Sequence, residues 1–431
     1  MNDLTTLDPH SLTAEQFTAL ARWGGGADAV GQLVASQRSK HLILLAKVAD
    51  LARRGGRPDD GLGVAGAQLL DRVQQQAKAA AGEVTGYPSV GAWALHTIRG
   101  AQAIPGEPEM PGARPSGLAA VAAAAAVKAG LDTEIEVPVV NGVVLLPSLG
   151  TADAAGGTAV VATKAAEVRS AGRCVAMRPG APGWRELRPV AVGSLRVLVD
   201  DLDPFRMPAT DGEPTGRLTS PQVEELRATL GAAWPILSPA SAAEIAAIVR
   251  VIVPYQAPDS GLVSTSSPQA FGTVAMSSQP DKYTCAETLV HETQHLKLCA
   301  LLDLVQLTRP DDGRRYYAPW RTDPRPASGL LQGAYAFLGV SGFWREQRLV
   351  APEREVRQRA EAEFARWRDS VAIVLETLLG SGQLTARGQA FSSEMALVVD
   401  AWRRETVPDD ALVVAQRMAD RHRAQWRADN G

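Results

Sequence analysis

The feature that constrains this chain most is a helix with two histidines on one face. Ala286 to Leu302 contains neither Gly nor Pro, and Leu289, Leu296 and Ala300 recur at helical spacing among good helix formers, so the stretch is expected to be α-helical. Inside it lies His291-Glu292-Thr293-Gln294-His295. Side chains four apart on a helix stack one turn apart on the same face, so both imidazoles can close on a single metal ion. The plain alternative is two histidines on a solvated face. Against it, the chain has only 6 histidines in 431 residues, and the surrounding helix is largely apolar, where an unpaired ring is costly to bury.

The third ligand decides the chemistry. In zinc peptidases the Glu of this pattern, here Glu292, is the general base that deprotonates metal-bound water. The three-histidine subclass needs Gly and His where this chain has Leu298 and Leu301, and is excluded. No His occurs between His295 and His422, so a carboxylate is expected from Asp303, Asp311, Asp312, Asp323 or Glu346. Asp303 lies about 12 Å of helical rise from His295, and Asp311 and Asp312 sit in the turn Pro310-Asp311-Asp312-Gly313. Asp323 is the first choice. It lies in the aromatic and doubly basic loop Tyr316-Tyr317-Ala318-Pro319-Trp320-Arg321-Thr322-Asp323-Pro324-Arg325-Pro326. Glu346 is the alternative if a second helix supplies the ligand.

Two histidines and a carboxylate are also the ligand set of non-haem Fe(II) oxygenases. Enzymes of that class that use 2-oxoglutarate need a cation for its distal carboxylate, and Arg321 and Arg325 are the candidates. Their plain alternative is a surface ion pair with the Asp-rich turn Pro310-Asp311-Asp312-Gly313. Glu292 is then a group that orients a ligand or water rather than a base. Trp320, Tyr317 and Phe271 are candidate substrate contacts, and Phe271 opens an expected strand, Phe271–Met276, whose edge could pair with an extended peptide. Cys299, four residues past His295, is read as a buried structural thiol.

The run Glu287 to Leu304, followed by Tyr317-Ala318-Pro319-Trp320-Arg321 and Gly329-Leu330-Leu331-Gln332-Gly333-Ala334-Tyr335-Ala336-Phe337, resembles the HExxH-motif peptide-modification family. Weaker likeness extends to Leu12–Leu51 and to Val199–Arg206. The family includes stand-alone proteins and domains fused to radical-SAM peptide cyclases. The resemblance implies an Fe(II) and 2-oxoglutarate-dependent β-hydroxylase acting on a ribosomally synthesised precursor peptide, with a radical-SAM maturase of the same pathway as an expected partner. It does not fix the third ligand, which is matched by loop position only. Zinc metallopeptidase activity remains the alternative. A peptide-binding protein with a structural metal is weaker, because structural zinc takes four protein ligands.

At 45% hydrophobic and 21% charged residues, the chain can bury a substantial core. A net charge of −3 gives no broad basic field, so nucleic acid is not an expected partner. No stretch reaches the roughly 20 apolar residues of a membrane span, and Met1-Asn2-Asp3-Leu4 begins no targeting segment, so a cytoplasmic location is expected. The cysteines Cys174, Cys285 and Cys299 are too scattered for a disulfide framework or an iron–sulfur cluster.

The expected fold class is α+β, predominantly helical with a small antiparallel sheet. Its HExxH helix is zincin-like, without a standard zinc-peptidase fold around it. Three regions are expected: helical 1–104, mixed 105–215 and a helical metal-binding region 216–431. Thr13-Ala14-Glu15-Gln16 has the form of a capping box, Gly24-Gly25-Gly26 separates that helix from the next, and Pro105–Pro115 reads as a linker. Val137–Leu146 is expected to be a hairpin turning at Asn141-Gly142, with further strands near Val160, Val175 and Leu198. Helices are expected again from Ser220-Pro221, from a second capping box at Ser241-Ala242-Ala243-Glu244, and over Glu353–Leu379 and Asp410–Asp429.

Overall fold

A computed structural model describes residues 9–102, 110–207, 213–257 and 261–430. The chain is mixed α+β, with helices at both ends and small sheets between them. Residues 105–109 of the expected linker lie outside the described residues.

The first helix, α1 (Ala14–Ala21), starts where the sequence indicates. The Thr13 hydroxyl accepts from Gln16 N at 3.1 Å, and the Gln16 side chain accepts from Thr13 N at 3.0 Å. After the glycine run come α2 (Gly26–Arg54), α3 (Asp60–Gln76), α4 (Lys78–Thr85), α5 (Pro88–Ala101) and α6 (Leu118–Ala129). The small side chains Ala119–Ala126 are all buried, so α6 lies close against α3 and α4.

Among the described residues the strands form three sheets. β1 (Glu134–Pro138), β4 (Thr158–Ala162), β5 (Glu167–Ser170) and β6 (Arg173–Ala176) make one antiparallel sheet, and β2 (Val143–Leu146), β3 (Gly150–Asp153) and β7 (Trp184–Glu186) make a second. The expected hairpin is therefore corrected. The turn is present, with Asn141 and Gly142 at φ 52° and 77°, but only Val140 and Val143 bridge across it. β1 pairs instead with β4 and β2 with β3, so the two strands diverge into different sheets.

The third sheet is mixed, in the order β11-β12-β10-β9-β8. β8 (Arg188–Val192) and β9 (Leu195–Val199) pair antiparallel, whereas β10 (Val251–Pro254) runs parallel to both β9 and β12 (Thr273–Met276). Parallel pairing needs a long crossover, supplied between β9 and β10 by α7 (Ser220–Ala233) and α8 (Pro239–Ile248). The cap of α8 is also corrected: Ser238 caps it, while Ser241 and Glu244 lie inside the helix. β11 (Ser264–Thr265) closes the other edge, antiparallel to β12.

The C-terminal helices are α9 (Lys282–Leu302), α10 (Ala327–Val350), α11 (Arg354–Gly380), α12 (Ala386–Arg403) and α13 (Asp409–Asn430). α9 is buried on nearly every side, its polar Glu292, Gln294 and Lys297 included. It packs against α10, α7, α8 and α2 and touches β11 and β12. Asp281 caps it, accepting from Tyr283 N and Thr284 N. Gly339 of α10 permits the closest approach, since a Cβ there would stand 2.6 Å from Gln294 Cγ. One apolar core joins α1 and the start of α2 to α9–α13; another joins α3–α6 to β1–β7. The mixed sheet contributes to both cores, and α9 lies on the side of the first.

Candidate metal centre

α9 places the two imidazoles as the spacing requires. His291 Nε2 and His295 Nε2 face each other at 3.1 Å. Two nitrogens each about 2.0–2.1 Å from one ion stand about 2.8–3.4 Å apart at right to tetrahedral angles, so the pair has the separation of two ligands to one cation. His295 Nδ1 lies 3.2 Å from Gln332 Oε1 on α10, and Gln332 Nε2 donates to Cys299 Sγ at 3.6 Å. That chain makes Nδ1 the N–H donor and leaves the Nε2 lone pair facing His291. Burial, and then the neighbouring His295, push the His291 pKa well below its ordinary value, so this ring stays neutral with a lone pair to give.

Glu292 completes the centre. Its carboxylate is 1% exposed; Oε1 accepts from Ser264 Oγ of β11 at 2.7 Å, while Oε2 is buried with no hydrogen-bond partner. A buried carboxylate oxygen without a partner carries a desolvation cost that a cation, or a water held by one, would relieve. These two observations fit a divalent metal held by His291 and His295.

The acidic third ligand is not gathered in. Among the described residues, no third His, Cys, Asp or Glu joins the pair. Asp323 is held between Arg321 Nε at 2.6 Å and Arg325 Nη1 at 2.9 Å, and it is half-exposed. Slight burial would raise its pKa, but the bonds from Arg321 and Arg325 hold it below the ordinary carboxylate value. The two arginines thus form surface ion pairs, but with Asp323 and not with the Asp-rich turn, whose Asp311 and Asp312 pair with Arg315 and Arg314. Glu346 sits fourteen residues beyond Gln332 on α10, about 21 Å of rise, and so does not share an ion with His295.

The loop itself is closely fixed. Tyr316 and Arg325 exchange backbone hydrogen bonds at 2.8 and 2.9 Å, and Asn430 Nδ2 donates to Thr322 O. Trp320 stacks on Phe337 at 4.9 Å, Phe337 stands edge-on to His291 at 5.0 Å, and Trp367 covers its other side at 4.1 Å. Trp320 therefore belongs to an aromatic wall beside the pair. Tyr317 faces elsewhere: its hydroxyl lies 3.0 Å from His422 Nδ1, and its ring meets Trp426. Phe271 lines a cavity whose walls include none of the His-pair residues.

One turn before His291, Glu287 is half-buried beside Glu363. Burial and then the Glu363 charge push its carboxyl up to about 7, against the nearby Arg359 and Arg366. Sequence reasoning missed Gln332, Ser264, Phe337 and Trp367. Gln332 alone carried a signal, as a polar residue in the apolar run Leu330–Phe337. A comparison with protein-family models found no match to this chain, and a comparison with curated proteins found none either.

Proposed function

We propose that the chain is a non-haem Fe(II) and 2-oxoglutarate-dependent oxygenase that hydroxylates the β-carbon of a side chain in a ribosomally made precursor peptide. The observation that carries a metal-dependent reading is the 3.1 Å separation of His291 and His295 Nε2, with the His295 tautomer set by Gln332. The hydroxylase form rests on the resemblance of the motif helix and the Pro-Trp-Arg loop. In this reading α9 serves as a zincin-like helix outside a standard zinc-peptidase fold, and the enzyme works in the cytoplasm, sharing its peptide with a radical-SAM maturase.

His291 and His295 would hold the iron, which with 2-oxoglutarate and O₂ supplies the oxidising power for C–H hydroxylation. Burial keeps His291 neutral. Glu292, anchored by Ser264, orients a water or ligand through Oε2. Trp320, Phe337 and Trp367 exclude water from one side of the rings. Asp323 completes the ligand set only by leaving Arg321 and Arg325, and the distal carboxylate of 2-oxoglutarate would replace it between them.

Zinc metallopeptidase activity is the second reading, favoured by the unpartnered Glu292 Oε2, which suits a general base. Anaerobic addition of Fe(II) and 2-oxoglutarate separates the two. A weak visible absorption band, and a peptide that gains one oxygen on exposure to air, support the oxygenase. Cleavage with zinc alone, without 2-oxoglutarate, overturns it.

A further inference from the structure

Away from the His pair, a cavity of about 800 Å³ opens between α2, α4 and the β8–β9 face of the mixed sheet. Arg38, Lys78, Arg196 and Arg250 line it, and none of the four forms an ion pair among the described residues. Glu83 is the one acid in its wall and is taken by Lys128 at 3.0 Å. The Arg250 guanidinium donates to the Ala247 carbonyl at 3.2 Å; burial and then the like charge of Arg38 lower its pKa. A chain of net charge −3 has thus gathered uncompensated cations around one hollow. Ile248 and Phe271, both buried, give its floor an apolar character.

We infer that this cavity docks an acidic segment of the peptide substrate, with its apolar side chains on the floor and its carboxylates on the arginine and lysine rim. This rests on the reading of the chain as a peptide-modifying enzyme and assigns where the substrate is held away from the chemistry. The cations come from four different elements, α2, α4, β9 and the α8–β10 turn. A floor that buries apolar groups under a charged rim suits an amphipathic segment. The cavity also lies at a useful distance. Gln37 lines it and donates to Asp303 at 2.7 Å, at the C-terminal cap of α9, about 12 Å of rise beyond His295.

The test is fluorescence anisotropy on the metal-free, full-length chain with a labelled peptide of alternating Glu and Leu and its Gln/Leu counterpart. Docking predicts that the Glu peptide binds at least about tenfold more tightly than the Gln peptide and weakens with salt. R38E/R250E should lose about tenfold or more in affinity while H291A loses none. If circular dichroism shows R38E/R250E unfolded, R38Q and R250Q are measured singly and each should weaken binding. Equal binding of the two peptides, indifference to the arginine variants, or displacement by inorganic phosphate as effective as by unlabelled peptide overturns the inference. Binding is read without metal, so intact docking with no oxygen transfer would sink the oxygenase reading alone.

Discussion

The side-chain carbonyl of Gln332 stands 3.2 Å from His295 Nδ1 and so orients a ring on α9 from the neighbouring helix α10. The same amide reaches Cys299 Sγ, one turn beyond His295, which fixes the direction in which its oxygen points. Rings that bind metal through one nitrogen and donate from the other are held in this way, and losing the outer partner weakens binding without removing a ligand.

Replacing Gln332 by Leu should therefore lower Fe(II) or Zn(II) affinity by about 10–100-fold. Gln332→Glu, which keeps an acceptor facing Nδ1, should retain most of it. A competition titration against a chromophoric chelator measures both, with His291→Ala as the variant that loses binding outright. Equal affinities for Q332L and the parent chain would remove Gln332 from the centre.

Gly333 lies under Trp320, and a Cβ there would stand 2.3 Å from Trp320 Nε1. Gly333→Ala should destabilise the chain by about 1–3 kcal/mol through overpacking. It should also shift Trp320 off Phe337, seen as a change in tryptophan emission. Gly31, mid-helix in α2 with open space at its Cβ position, is the control: Gly31→Ala should stabilise by up to about 1 kcal/mol. The same result at both positions in urea titrations would show that the close contact is not what matters at Gly333.

What the sequence revealed was local. The Thr13 capping box, the helix around His291 and the strand near Val160 each depend on neighbours within a few residues, and each forms as expected. Pairing partners are long-range. Val137–Pro138 and Val143–Leu146 carry a good turn between them, yet their apolar faces are covered by different sheets, and no local pattern records that choice. β10 was not anticipated, because a short apolar run buried on both faces has no period by which to tell strand from helix. The site divides likewise. His291, Glu292 and His295 share one helix and were legible; Ser264 and Gln332 reach it from elements 28 and 37 residues away.

Glu287 gives a pH dependence with a definite sign. Its folded pKa of about 7 lies above the carboxyl value of 4.5, so between those limits the folded chain binds the proton more tightly than the unfolded chain. The contribution is present in full below 4.5 and is lost as pH rises through 7. With its side chain still 21% exposed, it amounts to at most roughly 3 kcal/mol. Glu287→Gln should remove the dependence, so its stability relative to the parent should rise between pH 5 and pH 8. A difference between the two proteins that stays constant over that range in chemical denaturation would rule out Glu287 as the titrating group.

Lys297 tests how α9 is held in place. Its ammonium is buried, 2.7 Å from Glu244 Oε2, and also donates to Trp23 O at 2.8 Å and to Gly24 O. Gly26 N donates to the other Glu244 oxygen at 3.1 Å, so the glycine connection between α1 and α2, the helix α8 and the helix α9 meet at one ion pair. Burial lowers the Lys297 pKa, and the Glu244 charge opposes it. Lys297→Met strands the buried Glu244 carboxylate and takes the donor from Gly24 O, while Trp23 O keeps Gln294 Nε2 at 3.0 Å, and should cost about 3–5 kcal/mol. Lys297→Met with Glu244→Gln removes the stranded charge while keeping an acceptor for Gly26, so the double variant should recover at least about 1 kcal/mol relative to the sum of the two single changes. The mechanism is coupling through charge. Strict additivity in a double-mutant cycle would mean that Lys297 acts through its bulk alone.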